Sequence, residues 1–153
     1  MRNVQEDLQA FAFDGCDIAF DFNFKEEVDT VLPGNGKAKV SINVIDLVGS
    51  FVLKGQAIEG RYKRKDFYDV YSLTFFNGSP QKAAEYFNSK IENKSLNANK
   101  TKLLKHSLSV IREKFENVDS MGSFQVEQFT EGEIKRKDVY NRIDSFLKSI
   151  KIE

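Results

Sequence analysis

Between Phe51 and Tyr71 two helical patterns meet at a basic turn, and each carries charge where an apolar residue is expected. At 100° per residue Leu47, Phe51, Ile58 and Tyr62 share one arc, with Lys54 at its edge and Arg61 two turns further along. After the run Arg61-Tyr62-Lys63-Arg64-Lys65 the pattern restarts, with Asp66, Val70 and Leu73 on one face and Asp69 beside them. Such a chain has to pack two helices together with a lysine and two carboxylates at the margin of the buried surface. Charge removed from water costs several kcal/mol unless it is paired, so Lys54 and the aspartates of the facing helix are expected to meet or to share a ligand. Spacing leaves two arrangements open. One is a structural ion pair. The other is a site in which the lysine holds phosphate as a point charge and the carboxylates offer hard oxygen ligands to magnesium.

Upstream of this stretch the periodicity is that of strands. Ala10-Phe11-Ala12-Phe13 and Cys16 to Phe24 read as two strands joined by Asp14-Gly15, a dipeptide that tolerates the positive φ of a tight hairpin. Alternation in the second strand puts Asp17, Ala19, Asp21 and Asn23 on one face and Ile18, Phe20, Phe22 and Phe24 on the other. The acidic face is either solvated or available to a cation. Leu32-Pro33-Gly34-Asn35-Gly36 is a loop, and Lys37 to Val44 alternates again, which predicts a half-buried strand. Asp46 then stands at the N-cap position of the Lys54 helix.

Downstream the pattern is helical throughout. Asn77-Gly78 closes one helix, and Ser79-Pro80 opens the next with a capping serine and a proline at the first helical position. Its core face is Ala83, Ala84, Phe87 and Ile91. After the polar stretch Asn93 to Asn99, Leu104, Leu108, Ile111 and Phe115 recur at helical spacing and leave His106 on the outer side. A last helix, Lys135 to Ile150, turns Val139, Ile143, Phe146 and Ile150 inward and a lysine-rich face outward. The expected architecture is α+β in a single domain: a small N-terminal antiparallel or mixed β-sheet over residues 1–45, then a helical C-terminal bundle over residues 46–153.

Composition narrows the function classes. With 153 residues, 41% of them hydrophobic, one core is within reach. The formal net charge of zero argues against a protein that coats nucleic acid, although residues 1–31 hold eight acids against two bases, so the remainder is basic by the same margin. Cys16 is the only cysteine and His106 the only histidine, which leaves no internal disulfide and no thiolate-imidazole zinc cluster and fits a cytoplasmic protein. No apolar run approaches the roughly 20 residues that span a bilayer, so no membrane association is expected.

The segments Val52-Leu53-Lys54-Gly55-Gln56-Ala57-Ile58, then Arg61, then Lys65-Asp66-Phe67-Tyr68-Asp69-Val70-Tyr71 resemble the lysine helix and the arginine, lysine-aspartate, tyrosine-aspartate stretch of nucleotidyltransferase-fold proteins of the AbiEii type, the toxins of type IV toxin-antitoxin systems. Asp119 to Phe129 is similar to a Gly-Pro-containing loop and helix near their C-terminal end, with Ser123 where proline is usual. The resemblance implies transfer of a nucleotide from a nucleoside triphosphate to a hydroxyl of RNA or protein. It makes Lys54, Asp66 and Asp69 the catalytic candidates, with Lys54, Arg61 and Lys65 as nucleotide-binding residues and Asp66 assisting the acceptor or positioning the lysine. Asp17 or Asp21 becomes the candidate ligand for Mg2+, and a cognate antitoxin a candidate partner. The family's Gly-Ser or Gly-Gly turn followed by Asp-x-Asp, which supplies two further metal carboxylates, does not precede Lys54 here. The likeness is therefore to the C-terminal part of such a protein. The alternative expectation is a truncated, non-catalytic remnant that serves as a partner-binding module, or as an RNA-binding module through Arg61–Lys65.

Overall fold

The computed structural model describes residues 15–152. It is an α+β fold in which a two-stranded antiparallel sheet is followed by a helical region. A one-turn helix α1 (Ile18–Asp21) leads into a hairpin of β1 (Asn23–Val31) and β2 (Lys37–Ile45). Six helices follow: α2 (Leu47–Gly60), α3 (Arg64–Leu73), α4 (Pro80–Glu92), α5 (Ala98–Lys114), α6 (Met121–Phe129) and α7 (Arg136–Ser149). The strand expected over Ala10–Phe13, with Asp14 of its turn, lies outside the described residues.

The strand expected over Cys16 to Phe24 is a helical turn for most of its length. Ile18 N–H donates to Gly15 O and Phe22 N–H to Ile18 O, each at 3.0 Å. Ile18 and Phe22 are fully buried while Phe20, between them, is 83% exposed. Apolar residues at every second position also satisfy the four-residue spacing of a helix, and in so short a run periodicity cannot separate the two. Burial of the pair four apart decided in favour of the helix.

The hairpin register runs from Asn23 opposite Ile45 through Val28 opposite Val40 to Val31 opposite Lys37. Its turn closes where Leu32 N–H donates to Gly36 O at 2.7 Å, with Gly34 and Asn35 both at positive φ, as the loop residues predict. The half-buried strand expected over Lys37 to Val44 is instead an arm exposed along most of its length. The register puts Phe24, Val28, Val40 and Ile42 on one face, and all four are between 37% and 46% exposed. None of the principal helix contacts among the described residues is with this arm.

The core lies among the helices, with α2 at its centre against α3, α4 and α5, and with α7 closing on α4 and α6. Phe51 of α2 stacks on Phe146 of α7 with ring centroids 4.4 Å apart, and Phe87 of α4 meets both edge-on at 5.9 and 5.7 Å. The inward faces read from spacing are the buried ones at Ala83, Ala84 and Phe87, at Leu104, Leu108, Ile111 and Phe115, and at Val139, Ile143, Phe146 and Ile150, while Ile91 is only partly buried. Two close approaches depend on glycine. A Cβ on Gly55 would lie 2.7 Å from both Cβ and the carbonyl oxygen of Ser107, and one on Gly122 would lie 2.6 Å from Lys114 O. Helices α2 and α5 thus come into close contact at Gly55 and Ser107.

Helix ends follow the local chemistry. Asp46 accepts from Val48 N–H at 2.9 Å and Gly49 N–H at 3.2 Å, and Ser79 accepts from Lys82 N–H at 3.2 Å with Pro80 as the first helical residue. Asn77-Gly78 does not end α3. That helix stops at Leu73, where Thr74 Oγ1 donates back to Tyr71 O at 2.6 Å, and Asn77-Gly78 belongs to the separate 3-10 turn Phe76–Gly78. Tyr62 leaves the arc predicted for it because α2 ends at Gly60 and Arg61 is extended; its side chain is 64% exposed.

Candidate functional site

Facing positions on α2 and α3 bring Lys54 between the two aspartates. Lys54 Nζ donates to Asp66 Oδ1 at 2.9 Å and lies 2.6 Å from Asp69 Oδ2. Asp66 is held a second time by Arg61, whose Nε donates to Oδ2 at 2.8 Å and whose terminal nitrogen donates to Oδ1 at 3.1 Å. That two-pronged geometry is the strong form of a guanidinium–carboxylate contact. Asp69 is likewise shared, since Lys65, one helical turn earlier, donates to both its oxygens at 2.9 and 2.8 Å. All five residues named from sequence as catalytic or nucleotide-binding therefore form one network. Three cations surround two carboxylates, and one positive charge is left over.

Burial sorts the members. The Asp66 side chain is 3% exposed, Lys54 is 29% exposed, and Lys65 sits in solvent. Burial pushes the Asp66 and Asp69 carboxyls upward, but hydrogen bonds and charge from Arg61 and Lys54 on the first, and from Lys54 and Lys65 on the second, outweigh it and hold both below the usual carboxylate range. Burial likewise pulls the Lys54 ammonium down, and Asp66 and Asp69 more than restore it, so it stays charged above the ordinary lysine value. Nothing in this arrangement prepares Lys54 to give up a proton near neutrality. Its chemistry is that of a fixed cation.

Lys54 stands between two hollows. On one side a cavity of about 430 Å³ is lined by Cys16, Leu53, Lys54, Gln56, Gly60 and Arg61 among others. On the other, one of about 350 Å³ is lined by Ile45, Ser50, Leu53, Lys54, Asp69 and Ser72 among others. Gln56 was not singled out from sequence. Its Oε1 is buried with no hydrogen-bond partner among the described residues, an unmet acceptor beside the first cavity.

Asp17 and Asp21 lie elsewhere. One turn of α1 carries both to the same side, where Lys100 of α5 contacts Asp21 Oδ2 and lies 3.1 Å from Asp17 Oδ2. Asp17 and Lys100 line a further hollow that has no residue in common with the two beside Lys54. A lysine ammonium thus fills the place between the two carboxylates that a metal ion would need, and no group of three His, Cys, Asp or Glu side chains that could hold a metal occurs among the described residues. Asp17 and Asp21, the Mg2+ ligands expected from the resemblance, are both paired with Lys100 in this arrangement. No sequence signal linked Lys100 to them across about eighty intervening residues.

Of the basic turn, Arg61 and Lys65 are engaged by carboxylates, and Tyr62, Lys63 and Arg64 remain at the surface. His106 is exposed, with Nε2 2.8 Å from Glu59 Oε2. No helix among the described residues is long and apolar enough to cross a membrane. Comparisons with protein-family models, with curated proteins and with solved structures find no match to this chain.

Proposed function

We propose that this chain is a triphosphate-binding, nucleotidyltransferase-like protein resembling the AbiEii type, and that it does not transfer a nucleotide by itself. One observation carries the reading. Lys54 is a partly exposed cation whose charge is favoured by Asp66 and Asp69, at the wall between two cavities and flanked by Arg61 and Lys65, with net positive charge left in the cluster. Preorganised cations of this kind bind an oxyanion without first having to be assembled. Asp66 then acts on Lys54 as a positioning residue. Transfer to an RNA or protein hydroxyl would need further carboxylates to hold a divalent ion, because Asp17 and Asp21 are engaged by Lys100. Equilibrium titration of the chain with each of the four nucleoside triphosphates at fixed magnesium tests the reading. Saturable binding that weakens from triphosphate to monophosphate is expected, and no binding at millimolar nucleotide would overturn it.

A second reading, a non-catalytic partner-binding module, is favoured by the exposed apolar face of the β1–β2 arm. An isolated two-stranded hairpin is marginal in water unless something covers or extends it. An antitoxin remains a candidate partner on this reading, and a complex that survives loss of Lys54 would support it.

A further inference from the structure

The β1–β2 arm has two free edges among the described residues, and they are not alike. Strand β1 carries Lys25, Glu26, Glu27 and Asp29, and its Glu26 stands opposite Ile42 on the face that also holds Phe24, Val28 and Thr30. Charge along an edge strand is a recurrent device against pairing with a further strand, and β1 laid against its own copy about its midpoint would set Glu27 opposite Glu27. Strand β2 is guarded at one end only. Its apolar row Ala38, Val40, Ile42 and Val44 is uninterrupted, and its only charges, Lys37 and Lys39, sit together at the tip end of the other face.

The hydrogen-bond alternation shows what β2 offers. Leu32 with Gly36 and Phe22 with Asp46 are bonded pairs at the two ends of the ladder. By the two-residue alternation of an antiparallel pair, residues 38, 40, 42 and 44 bond to β1, and Lys37, Lys39, Ser41, Asn43 and Ile45 turn their N–H and C=O groups outward. Ser41 is the midpoint of β2. An antiparallel copy of β2 laid against this edge about Ser41 overlaps it over its whole length, so that Lys39 faces Asn43 and Lys37 faces Ile45. No like charges oppose each other, and Val40 meets the second copy's Ile42. The helical bodies then sit at opposite ends of the paired arms, about 30 Å apart for nine-residue strands. The formal net charge of zero adds no long-range repulsion between copies.

We propose that two copies of this chain pair through the outer edges of β2 into a four-stranded antiparallel sheet with its two-fold axis at Ser41. The contact uses nine residues a side, fewer than the 20–30 typical of a stable interface, so the dimer is weak and concentration-dependent. It involves none of the five charged residues of the Lys54 cluster, and meets the site only at Ile45, which lines the smaller hollow beside Lys54.

The test uses the full chain with Cys16→Ser throughout, because Cys16 is exposed. Residues opposed across a bonded antiparallel pair have Cα atoms about 5.5 Å apart, within disulfide range. Ser41→Cys is therefore expected to give a disulfide-linked dimer on mild oxidation, and Glu27→Cys, at the middle of β1, is expected not to. Sedimentation velocity over a concentration series should show a monomer–dimer equilibrium that Ile42→Lys weakens about tenfold. Unchanged circular dichroism in Ile42→Lys separates loss of pairing from loss of fold. A monomer at every concentration, or equal cross-linking at Ser41→Cys and Glu27→Cys, would overturn the proposal.

Discussion

Replacing Lys54 with Met keeps the length of the side chain and removes its charge, and the network around it sets the cost. Breaking one side of a buried ion pair typically costs about 3–5 kcal/mol because the remaining charge is left uncompensated. Here neither carboxylate is left alone. Asp66 keeps the two-pronged contact with Arg61 at 2.8 and 3.1 Å, and Asp69 keeps Lys65 at 2.8 Å. Lys54 is also 29% exposed, so water screens part of what it contributes. The loss should be about 1 kcal/mol, which at a slope near 2 kcal/mol per M lowers the urea midpoint by about 0.5 M. Asp66→Asn, at a side chain only 3% exposed, should cost more, about 2 kcal/mol. The double variant should lose less than the sum of the two, because the partners are in direct contact. Urea melts of the three variants at neutral pH measure this. A loss above about 3 kcal/mol for Lys54→Met would refute the compensation by Arg61 and Lys65.

Acid sensitivity follows from the same network. Asp66 and Asp69 have folded pKa values depressed below the unfolded value, so their stabilisation is fully present above about pH 4 and is lost as pH falls through the folded values. Asp46 acts in the opposite sense, since burial raises its pKa against the backbone donors Gly49 and Val48. Urea midpoints taken from pH 7 down to pH 3 should therefore fall at the acid end, and Asp66→Asn should flatten that fall; a midpoint that climbs on acidification would mean that Asp46 outweighs the pair. Gly55→Ala should destabilise by about 1–3 kcal/mol despite the better helix propensity of alanine, because the new Cβ meets Ser107 backbone and side chain at 2.7 Å; a gain in melting temperature would show that α2 and α5 can separate freely. Incubation with labelled nucleoside triphosphates, magnesium or manganese, and cellular RNA should label nothing, and robust incorporation would contradict the proposal that the chain does not transfer a nucleotide by itself.

The helical region was legible because its signals agree. The spacing of Leu104, Leu108 and Ile111, the cap at Asp46 and the Ser79-Pro80 start all name the same elements, and the buried faces match them. The cluster was legible for a different reason: a lysine and an aspartate on adjoining helices, each bordering an apolar arc, have few ways to satisfy their charges other than with each other. What sequence concealed has physical causes. Strand β1 is rich in charge at Lys25, Glu26, Glu27 and Asp29, so its alternation is hidden, and the strand signal was read one element too early, at Ile18 and Phe22. The exposure of the arm could not be read, because alternation reports that a strand has an apolar face and says nothing of whether anything covers it. The engagement of Asp17 and Asp21 by Lys100 is a tertiary contact with no local trace.

The account rests on Lys54 as the ligand for phosphate, and the direct measurement is the affinity of the chain for a nucleoside triphosphate at fixed magnesium, compared between the parent, Lys54→Met and the surface control Lys63→Met. Charge-assisted contacts to a phosphate are worth about 1.5–3 kcal/mol, so Lys54→Met should weaken binding by roughly tenfold to more than a hundredfold, while Lys63→Met stays close to the parent. Equal affinity in the parent and Lys54→Met, with both proteins folded, would contradict the account and leave the cluster as a structural ion network alone.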